Sequence, residues 1–389
     1  MNPIQQGLVA LIKSAILSAP QSLPEDFSLS EAMPLIRSHH MAAMIFDGAA
    51  RCGIPRTAPE MQTLFRTYCK SLQHSEGQLR QLGRIFAAFR QAGVDFLPLK
   101  GCNMKHLYPK PELRSMGDAD ILIRMEQYAL IRPLLLELGF TEGSETDHEL
   151  HWEHPQLHLE LHKHLIPSYN HDFYARFGTG WQLAHVQEGS RYAMDPEDEF
   201  LFLFTHFTKH YRDGGIGCRY VADLWVWLRT CPAMDWQRLE RSLEELELLE
   251  FWRNIHALIA WWFEDGPENE KLNFIADYIF ASGSWGDEIA NALSQAVRDS
   301  EQIAFGLNGK SAYFLRNMFP SVSMLEGQYR LLKRAPWMLP AVWVVRPFYK
   351  LLFDRQSLIR QKKRMDALAD KNVEDHRKAL QYVGLETHF

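Results

Sequence analysis

Asp118 and Asp120 stand two residues apart at the start of the apolar run Asp118-Ala119-Asp120-Ile121-Leu122-Ile123, just after Gly117. Strand side chains alternate between faces, so the two carboxylates point one way while Ala119, Ile121 and Ile123 point into a core. Like charges held side by side repel. A hard divalent cation such as Mg²⁺, which prefers oxygen ligands, relieves that repulsion. A second run, Leu157-His158-Leu159-Glu160-Leu161-His162-Lys163-His164, alternates in the same way, with leucines toward a core and His158, Glu160, His162 and His164 on the other side. If it lies beside the first run, Glu160 becomes a third carboxylate. Three acids on adjacent strands are what a two-metal phosphoryl or nucleotidyl transfer site needs. Both aspartates are expected at the solvent-facing mouth of their strand.

The elements that must position these residues follow from hydrophobic period. Residues 1–92 read as a helical region: Leu8, Leu11, Ile12 and Ile16 recur at helical spacing, as do Met61, Phe65, Cys69 and Leu72, and Gly93 supplies a helix stop. Residues 93–190 read as a small α/β core. A strand is expected over Val94 to Leu99, a short helix after Lys100-Gly101, the Asp118 strand, a helix over Gln127 to Leu138, a short strand from Phe140, and two strands flanking His154-Pro155. Residues 191–389 read as a helical domain, with helices over Glu197 to His210, Arg219 to Leu228, Trp236 to Trp262, Leu272 to Ile279, Glu288 to Phe305 and Leu325 to Arg334. Its tryptophans more often fill a helical core than form a ligand cage.

A chain of 389 residues is too long for one simple core, and 46% hydrophobic with 23% charged residues describes an ordinary globular protein. A net charge of −6 argues against non-specific coating of nucleic acid. The five scattered cysteines include no CxxC pair, which fits a reducing, cytoplasmic setting. The first twenty residues lack the pattern of a signal peptide. The apolar stretch Pro336 to Phe353 is interrupted by Pro340, Arg346 and Pro347, so it reads as a packed helix rather than a membrane span, with contact at a membrane surface as the alternative.

Other clusters carry competing readings. His148, His151, His154, His158, His162 and His164 crowd one hairpin, where zinc is conceivable although alternate positions of a strand point along a surface. His206, His210, Arg219 and Asp223 read as a polar network joining helices, or as the lining of a cleft that meets a substrate. Arg355, Arg360, Lys362, Lys363 and Arg364, with Lys350, read as a solvated helical face, or as a seat for an anionic partner.

Taken in order, Leu99-Lys100-Gly101, Leu107-Tyr108-Pro109, Leu113-Arg114, Gly117-Asp118-Ala119-Asp120 and Glu160-Leu161-His162 resemble the bacterial "uncharacterised nucleotidyltransferase" family of the DNA polymerase β-like nucleotidyltransferase superfamily. The likeness is densest over residues 94–165 and continues more weakly through His206, His210, Arg219 and Asp223. It implies an α+β fold, a small mixed sheet flanked by helical regions. It implies transfer of a nucleoside monophosphate from an NTP, ATP by default, to a hydroxyl of a small molecule or protein. In that scheme Asp118, Asp120 and Glu160 hold two Mg²⁺ ions, Glu160 can take the acceptor proton, and Gly101 lets the backbone approach the phosphates. Lys100, Arg114 and His162 are the expected contacts to the nucleotide or its metal. Gly101-Cys102 replaces the superfamily's usual Gly-Ser or Gly-Gly pair. Two rival readings remain: a phosphohydrolase dependent on zinc or another metal and built on the histidine-rich hairpin, and a non-catalytic nucleotide-binding scaffold on the same fold.

Overall fold

In the computed structural model the two alternating runs are neighbouring strands of one mixed sheet. The structure describes all residues except 168–169, 285, 287, 303–308, 326–328, 330, 354–365 and 386–389. The strands are β1 (Phe96–Pro98), β2 (Asp118–Ile123), β3 (Thr141–Glu145), β4 (Glu149–His154), β5 (Leu157–His162), β6 (Ala184–Glu188) and β7 (Arg191–Met194), in the order β3-β4-β5-β2-β1-β7-β6. β2 runs parallel to β5 and β1 parallel to β7, and the other pairings are antiparallel. With helices before and after the sheet, the fold is α+β.

Alternation sorts the two faces. Ala119, Ile121 and Ile123 of β2, Leu157, Leu159 and Leu161 of β5, and Leu150 and Trp152 of β4 join one buried cluster. Leu82, Ile85 and Phe89 of helix Pro59–Ala92 and Ile131 and Leu135 of helix Tyr128–Glu137 close over it. The long helix ends at Gly93, whose φ of 68° is a left-handed conformation that a residue without Cβ adopts cheaply. The opposite face carries the polar partners of these leucines and isoleucines.

Several expected elements differ in extent. The strand expected over Val94 to Leu99 is three residues long, because Val94 caps the preceding helix through its bond to the Phe89 carbonyl. The helix expected over Trp236 to Trp262 is two, Trp236–Glu245 and Leu249–Phe263, separated where Glu247 turns to φ 57°. The β6–β7 hairpin falls in a segment where no strand was expected. The helices expected over Glu288 to Phe305 and Leu325 to Arg334 extend in part beyond the described residues; the described portions include Glu288–Gln302 and Leu331–Arg334. The stretch after Pro336 is a helical turn followed by helix Leu339–Phe353. Arg355, Arg360, Lys362, Lys363 and Arg364, and the side chain of Lys350, lie outside the described residues. Among the described residues no helix is long and apolar enough to cross a membrane.

The chain forms two compact units, residues 1–208 with 216–285, and residues 209–215 with 286–389. The sheet and the helices that cover it belong to the first. The second has its own small core of Ala292, Ala296, Val297, Tyr313, Leu368 and Val373.

Candidate functional site

Strand register builds the polar face as three rungs. Asp120 lies opposite Glu160, which lies opposite His151; Asp118 opposite His158, then Glu153; Leu122 opposite His162, then Glu149. The rung of Asp120 and Glu160, with His162 beside it, brings one ligating atom from each of the three side chains within 4.8 Å of the others. Asp118 shares the face but does not join that cluster; it is partly exposed, one step nearer the start of β2. Asp120 is not at a solvent-facing mouth, as its sequence position suggested: only 4% of it is exposed.

A buried carboxylate requires compensation. Lys100 Nζ and His162 Nε2 each lie 2.9 Å from Asp120 Oδ1. Burial alone would favour the neutral acid, but the Lys100 ammonium and the His162 hydrogen bond outweigh it and hold the Asp120 carboxyl well below the carboxylate range. The same pair works in reverse on Lys100: burial disfavours its charge, and Asp120 more than restores it. Glu160 has no cation this close, its nearest being His151 Nδ1 at 3.5 Å from Oε1. Burial, then the charges of Asp118, Asp120 and Glu149, push its carboxyl up to about 8. Glu149 is held down at about 2: burial opposes ionisation, but the His148 hydrogen bond and the neighbouring His162 prevail.

Lys100 begins the loop after β1 with φ 43° and ψ −112°, backbone that costs energy for any residue with a Cβ. The helix Gly101–Met104 follows directly. A Cβ on Gly101 would stand 2.6 Å from Arg114 Nη1 and 2.9 Å from the Met116 side chain, so the residue is glycine because its neighbours approach this closely. Arg114 is buried and forked onto Asp223, with Nε 3.3 Å from Oδ1 and Nη2 3.1 Å from Oδ2; Tyr108 donates its hydroxyl to the same Oδ1 at 2.7 Å. Arg114 thus lies behind Gly101 and is engaged by the helix Cys218–Thr230 rather than by the carboxylate cluster. From that helix Arg219 also donates to the carbonyl and hydroxyl oxygens of Ser115. The weaker motif residues Arg219 and Asp223 therefore hold the loop between β1 and β2, and His206 packs its ring against Tyr220.

Of the residues expected at the site, the structure brings together Lys100, Asp120, Glu160 and His162, keeps Asp118 on the same face, and sets Gly101 and Arg114 against each other beside it. Sequence reasoning missed Glu149 and Glu199. Glu149 alternates with Leu150 and Trp152 just as Glu160 does with Leu159 and Leu161, so the signal was present. Glu199 accepts from Asn103 Nδ2 at 2.6 Å, and burial pushes its carboxyl up to about 6; its place beside the loop could not be read from a helix position.

The donor set fits a hard divalent cation. Two carboxylates and an imidazole converge there, and burial together with the charges of Asp118, Asp120 and Glu149 holds the Glu160 carboxyl high. No curated protein and no solved structure matches the chain. A family model described as "Uncharacterised nucleotidyltransferase" matches residues 25–264, more than half of the chain, a span that takes in the whole sheet and the helix carrying Asp223. The chain belongs to that uncharacterised nucleotidyltransferase family.

Proposed function

We propose that the chain transfers a nucleoside monophosphate from an NTP, ATP by default, to a hydroxyl of a small-molecule or protein acceptor. The observation that carries this reading is the β2–β5 register, which sets Asp120 against Glu160 on the face shared by Asp118 and reached by Lys100, in a chain of nucleotidyltransferase family. Asp118, Asp120 and Glu160 would hold two Mg²⁺ ions, which when bound neutralise triphosphate charge and stabilise the charge that develops around the α-phosphorus. The chain's own groups do the rest. Gly101 brings the loop backbone to the phosphates, with Arg114 and Met116 packed where a Cβ would stand. Lys100 adds a point charge at the same loop. Glu160 takes the acceptor's hydroxyl proton. The acceptor oxygen then bonds to the α-phosphorus as the α–β phosphoanhydride bond breaks, and pyrophosphate leaves.

Incubation with α-labelled NTPs, Mg²⁺ and cell extract is expected to label an acceptor, and Asp118→Asn to reduce that labelling at least 100-fold while Tm stays within about 2 °C, since Asp118 is partly exposed. Undiminished labelling by Asp118→Asn and Glu160→Gln would sink the assignment. Nucleotide binding that ignores both substitutions, with no transfer, is the signature of a scaffold.

A further inference from the structure

The polar face carries a second convergence, on the side of Glu160 away from Asp120. His151 on β4 and His158 and Glu160 on β5 each present one ligating atom, all within 4.8 Å of one another. We propose that these three residues form a Zn²⁺ site that shares Glu160 with the carboxylate cluster. Two imidazoles and one carboxylate suit zinc far better than magnesium, which takes oxygen donors. Tetrahedral zinc with bonds of ~2.0–2.2 Å places its ligands roughly 3.3–3.6 Å apart, so the cluster needs only side-chain rotation on strands whose register is already fixed.

The surroundings of the imidazoles are an independent observation. His158 Nδ1 lies 2.8 Å from Glu153 Oε2, which leaves Nε2 as the nitrogen available to ligate. His151 Nδ1 lies 3.5 Å from Glu160 Oε1, while its Nε2 lies 3.7 Å from Glu149 Oε2. The His158 ring therefore has a hydrogen-bonded carboxylate on the nitrogen that does not ligate, the arrangement that fixes tautomer and orientation in zinc-bound histidines, and a second carboxylate, Glu149, stands near His151 Nε2. If the site also performs the transfer proposed above, zinc draws Glu160 away from Asp120 and opposes it.

Metal-free full-length protein titrated with ZnCl₂ against a chromophoric chelator tests the site. We expect one Zn²⁺ per chain. Affinity should fall at least 100-fold in His151→Gln and His158→Gln, fall about tenfold in Glu153→Gln, and stay unchanged in His154→Gln, which sits on the same hairpin but on the alternate face. Co²⁺ should give the intense visible bands of a tetrahedral ion in wild type and lose them in His158→Gln, with the far-ultraviolet spectrum showing that the variant is folded. Zinc bound equally by His151→Gln and His158→Gln, or not bound by wild type, overturns the site whatever the transferase assay shows. Zinc bound as described by a protein that transfers no nucleotide leaves the site standing and removes the transferase reading instead.

Discussion

Lys100 and Glu160 answer the same negative charge in opposite ways. Lys100 accepts a strained backbone to bring its ammonium to Asp120. Replacing it separates the two effects. Lys100→Ala loses the ammonium and keeps a Cβ at φ 43°; Lys100→Gly loses the ammonium and relieves the backbone. Both should be destabilised, because Asp120 is left buried without its cation, and the glycine variant should be the more stable by about 1 kcal/mol in urea unfolding. Equal stabilities would mean that the turn is not strained. Glu160, partly buried among Asp118, Asp120 and Glu149, is instead held partly neutral. Its folded carboxyl is raised, so its contribution to stability is complete below the unfolded pKa of about 4.5 and is lost as pH rises through about 8. In EDTA, wild-type Tm should therefore fall between pH 5 and 8 more steeply than that of Glu160→Gln, which has no proton to lose. Parallel pH profiles would show that neither burial nor the charges of Asp118, Asp120 and Glu149 raise the Glu160 carboxyl.

At the scale of elements, the site is the meeting of two strands and a turn. Gly101→Ala would force a methyl to 2.6 Å from Arg114 Nη1, and Arg114 cannot swing away without breaking its fork on Asp223. The expected cost is about 1–3 kcal/mol of stability, with a larger loss of NTP affinity measured by calorimetry; unchanged affinity would remove the loop from phosphate binding. The strands were legible because period-two alternation separates their faces: β2 and β5 show it plainly, and their register follows from burying one leucine-and-isoleucine face. The β6–β7 hairpin was not legible. Ala184–Glu188 buries no side chain fully and Val186 is exposed, so no alternation marks it. Nor could a one-dimensional pattern show that Arg114 finds its acid 109 residues away, or that Lys100 would turn inward.

For the whole molecule, the consequence is that the site's scaffold is not confined to the sheet. The apolar face closes only when helix Pro59–Ala92 supplies Leu82, Ile85 and Phe89, and the loop between β1 and β2 is held by helix Cys218–Thr230 through Tyr108, Arg114 and Asp223. The Arg114–Asp223 pair is almost fully buried, so removing one partner strands the other charge. Asp223→Asn should cost about 3–5 kcal/mol, well above the effect of breaking an exposed pair such as Arg132–Glu142. It should also weaken NTP binding through the displaced loop, although Asp223 pairs with Arg114 rather than with the carboxylate cluster. A segment limited to residues 93–190 should expose the sheet's apolar face and fail to fold, whereas residues 1–285 contain every group that covers it. Far-ultraviolet dichroism and urea unfolding of the two fragments decide the matter. A cooperative transition in the short fragment, or an Asp223→Asn variant as stable as wild type, would confine the structural support of the site to the strands and free the flanking helices for some other task.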